Sequence, residues 1–212
     1  MAQVIKHVSK VAAILLITLY VSSCANPVVE QARTGFISDY SSLKKTSDTS
    51  YLYFSPKISS YSSFLIEKPI VLFDQDKRYE GGQFSKEEID DLVEYYFEHL
   101  KEAISKKEGY VLTDKPGKGV ARIKVALTAV DETVGALNLT IYTKITGAGL
   151  GGAAMEGEIL DSITGEQLSA VVQWGNGSRM LRAGFTKLGD AKLQVDKWTQ
   201  NLRKSIDEAH GK

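Results

Sequence analysis

The most regular pattern in the chain covers residues 85–107. Ile89, Leu92, Val93, Tyr96, Phe97, Leu100 and Ile104 recur at steps of three and four, one apolar stripe along a helix. Ser85, followed by Glu88 three residues on, makes a capping box at its start. Glu87, Glu88, Asp90 and Asp91 complement the positive end of the helix dipole, and Lys101, Lys106 and Lys107 the negative end. Gly109 is a natural stop. A second helix is predicted over 190–209, with Ala191, Val195, Trp198, Leu202 and Ile206 on its inner face.

The other patterns have a period of two. In 120–130, Ala121, Ile123, Val125, Leu127 and Ala129 point one way, and Arg122, Lys124 and Thr128 the other. That is a half-buried antiparallel strand. Residues 155–160 and 167–173 flank Asp161-Ser162-Ile163-Thr164-Gly165-Glu166, which suits a hairpin with a left-handed glycine. Further strands are predicted at 51–54, ended by Pro56, at 110–113 and at 136–145. Residues 64–74 form another, with a bend or an edge where Pro69 cannot donate. These elements predict an α+β single domain: a largely antiparallel sheet of five to seven strands with two long helices packed on one face.

The N-terminus has a different character. Lys6 and Lys10 precede an apolar run over residues 11–21, and no acidic residue occurs before Glu30. Charged head, apolar core and small residues at a cut make a secretory signal. The run has 11 residues, against roughly 20 for a membrane span. Cys24, the one cysteine, follows Val21-Ser22-Ser23 and has no disulfide partner. This arrangement resembles a bacterial lipobox. The resemblance implies acylation of the Cys24 thiol (palmitate among its chains), removal of 1–23 as a lipoprotein signal peptide, a lipidated tether at 24–34 and a periplasmic domain at 35–212. Ala25 stands where aspartate would signal inner-membrane retention, which points to the cell outer membrane. A plain secreted protein with a free thiol is the alternative.

Composition narrows the chemistry. Without the two lysines of residues 1–23, 24 basic residues face 26 acidic ones. This balance offers no basic field for nucleic acid. One cysteine excludes a disulfide scaffold and a thiolate metal site. Beyond residue 23 only His99 and His210 remain, and scattered carboxylates give no metal-ligand spacing.

Few motifs invite function. Gly147-Ala148-Gly149-Leu150-Gly151-Gly152 matches the dinucleotide fingerprint by letter. That chemistry needs a helix afterwards, and the next residues read as a strand. His99, at the edge of the helix stripe, suits a structural role better than a general base. Gly175-Asn176-Gly177-Ser178 is no nucleophile elbow. Tyr40, Tyr51, Tyr53 and Tyr61 suit half-buried strands and loops, with glycan stacking as the functional alternative. No catalytic, cofactor-binding or metal site emerges.

Several segments together resemble a bacterial lipoprotein family known as domain of unknown function 3313. They are Gly35-Phe36-Ile37-Ser38-Asp39-Tyr40-Ser41-Ser42-Leu43, then Pro116-Gly117-Lys118-Gly119-Val120, then Glu158-Ile159-Leu160-Asp161-Ser162-Ile163-Thr164-Gly165-Glu166. Gly189-Asp190-Ala191-Lys192, Asp196-Lys197-Trp198 and Leu202-Arg203 complete the order. Leu188 stands where a tryptophan is expected, a change that touches packing. The resemblance implies no activity and carries no catalytic residue. The expectation is a non-catalytic binding or assembly factor, held on the membrane by lipid, with an envelope protein or peptidoglycan as partner. A carboxylate-dependent hydrolase of cell-wall material is the alternative.

Overall fold

The structure, a computed structural model, describes residues 34–72, 84–131, 152–176 and 188–212. Its strands are β1 (Lys44–Ser47), β2 (Ser50–Phe54), β3 (Ser63–Ile66), β4 (Ile70–Val71), β5 (Val111–Leu112), β6 (Val120–Asp131), β7 (Gly152–Asp161) and β8 (Gln167–Asn176). Two helices accompany them, α1 (Lys86–Ser105) and α2 (Gly189–Ala209). The fold is α+β and a single domain. The leader, Cys24, the predicted strand at 136–145 and the glycine run up to Gly151 lie outside the described residues.

Among the described residues the strands form one sheet in the order β1-β2-β8-β7-β6-β3-β5, with β4 also on β6. This exceeds the five to seven strands predicted, and the sheet is mixed. Pairings from β1 to β6 are antiparallel, whereas β3 and β4 run parallel to β6, and β5 parallel to β3. The reason is α1. It lies between β4 and β5, and a helix is the usual crossover that returns a chain in the same direction.

Pro69 acts as its chemistry dictates. Ile66 pairs with Ile123 and Ile70 with Ala126, so one extra residue bulges out around the buried proline. A second irregularity lies in β6 between Leu127 and Ala129. Leu127 packs in the core beneath the helices, but Ala129 joins a smaller cluster on the other face with Ala154 and Trp174. The strict alternation over 120–130 therefore breaks at Thr128.

Helix α1 starts as its sequence predicts. The Ser85 hydroxyl accepts from the Glu88 amide at 3.2 Å, and the Glu88 carboxylate accepts from the Ser85 amide at 2.7 Å. Ile89, Leu92, Val93, Tyr96, Leu100 and Ile104 are buried against the sheet. Phe97 is half-buried instead, with the Lys101 ammonium 4.2 Å from its ring centre. Gly109 ends the turn by closeness rather than by a left-handed φ. A Cβ there would stand 2.3 Å from the Ser105 carbonyl carbon. The positive φ angles belong to Lys107 and Glu108.

Helix α2 buries Ala191, Val195, Trp198 and Ile206, and Leu202 partly. Arg203 locks it to α1. Its Nε donates to both Asp207 oxygens at 2.8 Å, and its Nη1 reaches the Ala103, Ile104 and Lys106 carbonyls at 2.8–3.2 Å. These are carbonyls that the end of a helix leaves without partners. Both helices lie on one face of the sheet, as predicted. Among the described residues no helix is long and apolar enough to cross a membrane.

Candidate functional site

The face of the sheet away from the helices carries two buried carboxylates, Glu156 and Glu158 of β7. They alternate with Met155, Gly157 and Ile159, so the pleat turns both outward from the main core. Residues 34–43 fold across them. Glu156 accepts from the Thr34 amide (3.0 Å), the Thr34 hydroxyl (2.8 Å) and the Tyr40 hydroxyl (2.5 Å). The same Tyr40 oxygen accepts from the Gly35 and Ile37 amides. Gly35 makes this turn at φ +86°, a region other residues avoid. Burial and the Glu156 carboxylate raise the Tyr40 pKa, so it remains a donor.

Glu158 accepts from the Ser38 amide (2.9 Å) and hydroxyl (2.7 Å), and from the Lys124 ammonium (2.8 Å). Burial opposes its charge, but Lys124 and Ser38 outweigh burial and hold its pKa below the ordinary glutamate value. Ile37 then packs beside Tyr51 and Trp174, whose rings lie 6.0 Å apart. Of the tyrosines singled out, Tyr40 and Tyr51 serve this clamp. Tyr61 donates to Asp161, and burial with that bond pushes its hydroxyl up to about 12.

Asp161 organises the hairpin tip. Its Oδ1 accepts from the amides of Ile163 and Thr164 and from the Thr164 hydroxyl at 2.7–3.0 Å. The Thr164 amide and then Tyr61 lower its pKa to about 2. Gly165 takes φ +73°, the left-handed position that the sequence predicts.

The opposite face holds a cleft. α2 packs across β7 and reaches β8, where Gln194 lies over Gly175, and β2 pairs with β8 on its far side. Between them lies a cavity of about 170 Å³. Its walls are largely apolar, with Leu52, Phe54, Leu100, Met155, Val171 and Trp198 among them. Ser50, Gln173, Asn201 and Ser205 supply neutral polar groups. Lys124 and Glu158 contribute to its floor, but their charged ends pair with each other on the far face. Gly157 lies in that floor, where a Cβ would meet a Val171 methyl at 3.3 Å and the Met155 methyl at 3.5 Å.

His99 sits outside both features. Its Nδ1 lies 2.9 Å from Asp196 Oδ1, which also accepts from the Tyr95 hydroxyl at 2.9 Å. The Tyr95 and His99 rings stack at 3.8 Å. Burial and the Asp196 bond push the Tyr95 hydroxyl up to about 12. This cluster ties α1 to α2, the structural role that its place at the stripe edge suggests. Among the described residues no group of three or more His, Cys, Asp or Glu could hold a metal ion. The segment after the glycine run is strand β7, so it presents no helix N-terminus for a pyrophosphate.

Sequence reasoning found the strands that carry these sites but neither site. Cys24, the predicted lipidation residue, falls outside the described residues.

Comparison with solved structures gives distant likeness. A single-substitution variant of PelC from Paraburkholderia phytofirmans, a dodecamer, aligns at 10% identity and TM-score 0.45, covering 73% of this chain and 96% of that one. The PelC dodecamer in a second crystal form gives 0.44 over the same shares. A protein described as a homolog of the neuraminyllactose-binding hemagglutinin, from Helicobacter pylori, aligns at 11% identity and TM-score 0.36, covering 71% and 85%. No curated protein matches the chain in sequence. A family model does match, over residues 32–202, and by that match the chain belongs to the family described as protein of unknown function (DUF3313).

Proposed function

We propose that this chain is a lipid-anchored lipoprotein of the outer membrane. Its periplasmic domain binds an envelope component through the cleft between α2 and the sheet, as an accessory factor without chemistry of its own. The anchor reading is supported by the leader pattern and by Cys24 after Val21-Ser22-Ser23. Ten residues from 25 to 34 would then join the lipid to the clamp on Glu156 and Glu158, a reach of about 33 Å when extended.

The observation that carries the binding reading is the cleft itself. It is concave and apolar, with a few neutral polar groups converging on it, which is the usual make-up of a binding site. The competing reading, a carboxylate hydrolase, has less support. The two acids that the fold brings together are occupied by donors from residues 34–40 and by Lys124.

Membrane fractionation with mass analysis of the N-terminal peptide tests the anchor. The expected result is acylated Cys24 in the membrane fraction, and soluble protein after Cys24→Ser. An unmodified thiol on freely soluble material overturns it. Native mass spectrometry of protein released gently from its own membranes tests the binding reading. A co-purifying mass that Gly157→Val removes supports it. Turnover of cell-wall material that disappears with one Asp or Glu substitution overturns it.

A further inference from the structure

One side chain lining the cleft has a hydroxyl with no protein partner. Tyr96 of α1 is 1% exposed and lines the cavity. Three other tyrosines around this core each donate to a carboxylate: Tyr61 to Asp161, Tyr95 to Asp196 and Tyr110 to Asp207. The Tyr96 hydroxyl makes no hydrogen bond to any described residue, and burial alone raises its pKa. Its oxygen is not one of the fully buried unpaired atoms, so it keeps a trace of open surface while lacking a protein partner. Here that hydroxyl belongs to a residue that faces an apolar space of about 170 Å³.

We propose that the cleft binds a small neutral amphiphile: an apolar body of about six to eight carbon atoms, bearing a hydroxyl or carbonyl oxygen that accepts from Tyr96. The inference rests on reading the cleft as the binding site, and it specifies the ligand class. Size follows from volume. An apolar cavity of about 150 Å³ holds a six-carbon ring, so a space of about 170 Å³ takes slightly more. Neutrality follows from the walls. The two charged residues at the floor neutralise each other on the far face, so an ionic ligand would be buried unpaired. The acceptor follows from Tyr96, which stays protonated and can only be satisfied by a ligand oxygen or water. Ser50, Gln173, Asn201 and Ser205 can meet a second polar group at the rim.

The test uses the full-length chain with ¹³C-labelled methionine methyls. Met155 lines the cavity, and its resonance is assigned by Met155→Leu. The titrants are 1-hexanol, hexanoate and hexylammonium. We expect a saturable shift of the Met155 methyl with 1-hexanol, and binding at least about tenfold weaker for both ions. Tyr96→Phe should weaken 1-hexanol roughly fivefold, the worth of one neutral hydrogen bond. Gly157→Val should abolish the shift by raising the floor. Leu52→Trp, at the half-buried mouth, is the second blocking variant should Gly157→Val unfold.

No saturable shift with 1-hexanol overturns the proposal, as does equal binding of either ion, or an unchanged affinity in Tyr96→Phe. A co-purifying mass sensitive to Gly157→Val, together with failure of 1-hexanol, rejects the neutral amphiphile and leaves the cleft as a binding site. Failure of both rejects the two together.

Discussion

Glu158→Gln probes the clamp with the smallest change in shape. The wild-type side chain is 1% exposed, and its partner Lys124 is 26% exposed. Glutamine keeps one oxygen, which can still accept from the Ser38 amide and hydroxyl. Its other end becomes an NH2 group facing the Lys124 ammonium, two donors opposed where an ion pair stood at 2.8 Å. Breaking a buried pair costs about 3–5 kcal/mol. Lys124 can swing partly into water, so the loss falls below that range, to about 2–3 kcal/mol at pH 7. Against a total stability of about 5–15 kcal/mol this is a large fraction.

Urea unfolding at fixed ionic strength measures the loss, and amide hydrogen exchange locates it. The Ser38 amide and its neighbours in 35–43 should exchange faster, while α1 stays protected. The pH dependence has a definite sign. The folded Glu158 pKa lies below its unfolded value, so the carboxylate contributes fully above about pH 4.3 and loses that contribution as pH falls through the lower folded value. Glutamine lacks it throughout. The gap between wild type and variant should therefore begin to narrow below about pH 4.3 and go on narrowing as pH falls through the lower folded value. A loss under about 0.5 kcal/mol, or one that leaves Ser38 exchange unchanged, refutes the clamp as described.

Three further outcomes test the frame around the sites. Gly109→Ala puts a Cβ 2.3 Å from the Ser105 carbonyl carbon, a backbone clash that only a shift of the α1–β5 turn can relieve. We expect a loss of at least about 2 kcal/mol in denaturant unfolding, and a wild-type value would refute the closeness. Asp161→Asn removes a carboxylate held at about pKa 2, whose contribution is present above about pH 3.9 and lost as pH falls toward 2. With solvent screening at the hairpin tip, the expected loss at pH 7 is about 1 kcal/mol, vanishing in acid. Arg203→Lys cannot hold Asp207 and the Ala103, Ile104 and Lys106 carbonyls at once, so thermal unfolding should show a loss of about 1–2 kcal/mol.

The legible parts of this fold carry their partners nearby in sequence. The α1 stripe, its Ser85–Glu88 box and the Asp161–Gly165 hairpin depend on residues three to five apart. β1 escaped because Lys44, Lys45, Thr46 and Ser47 are all exposed, so no alternation marks them. The switch of faces at Thr128 escaped because Leu127 and Ala129 are both apolar and fit either face. The clamp was hidden by distance. Thr34 and Ser38 lie 122 and 120 residues from the glutamates they bind. One local trace existed: two glutamates two apart within the otherwise apolar Ala153-Ala154-Met155-Glu156-Gly157-Glu158-Ile159. It reads equally well as a solvent face. The cleft left no trace, since residues far apart in sequence, from α1, α2, β2, β7 and β8, line it together.

The two faces of β7 divide their chemistry in an unusual way. The face closed by residues 34–43 is sealed with carboxylates, and the face beneath the helices, where the cleft lies, is apolar. A polar seal fixes register, because each Glu156 and Glu158 oxygen must meet its own donor, whereas an apolar strap could slide. That would suit the tether proposed for residues 24–34. On the helix-covered face the same strand carries Gly157 between the two glutamates. Glycine weakens a strand interior, and no left-handed φ calls for it there. A methyl at that position would stand 3.3 Å from a Val171 methyl and 3.5 Å from the Lys124 carbonyl and the Met155 methyl, so Val171 would have to give by a few tenths of an ångström. What glycine preserves is the depth of the cleft beneath Tyr96 and Trp198. A side chain there would fill the space and give the strand back its packing. The occupant proposed above would account for the missing side chain, and it is the same position at which Gly157→Val would exclude one.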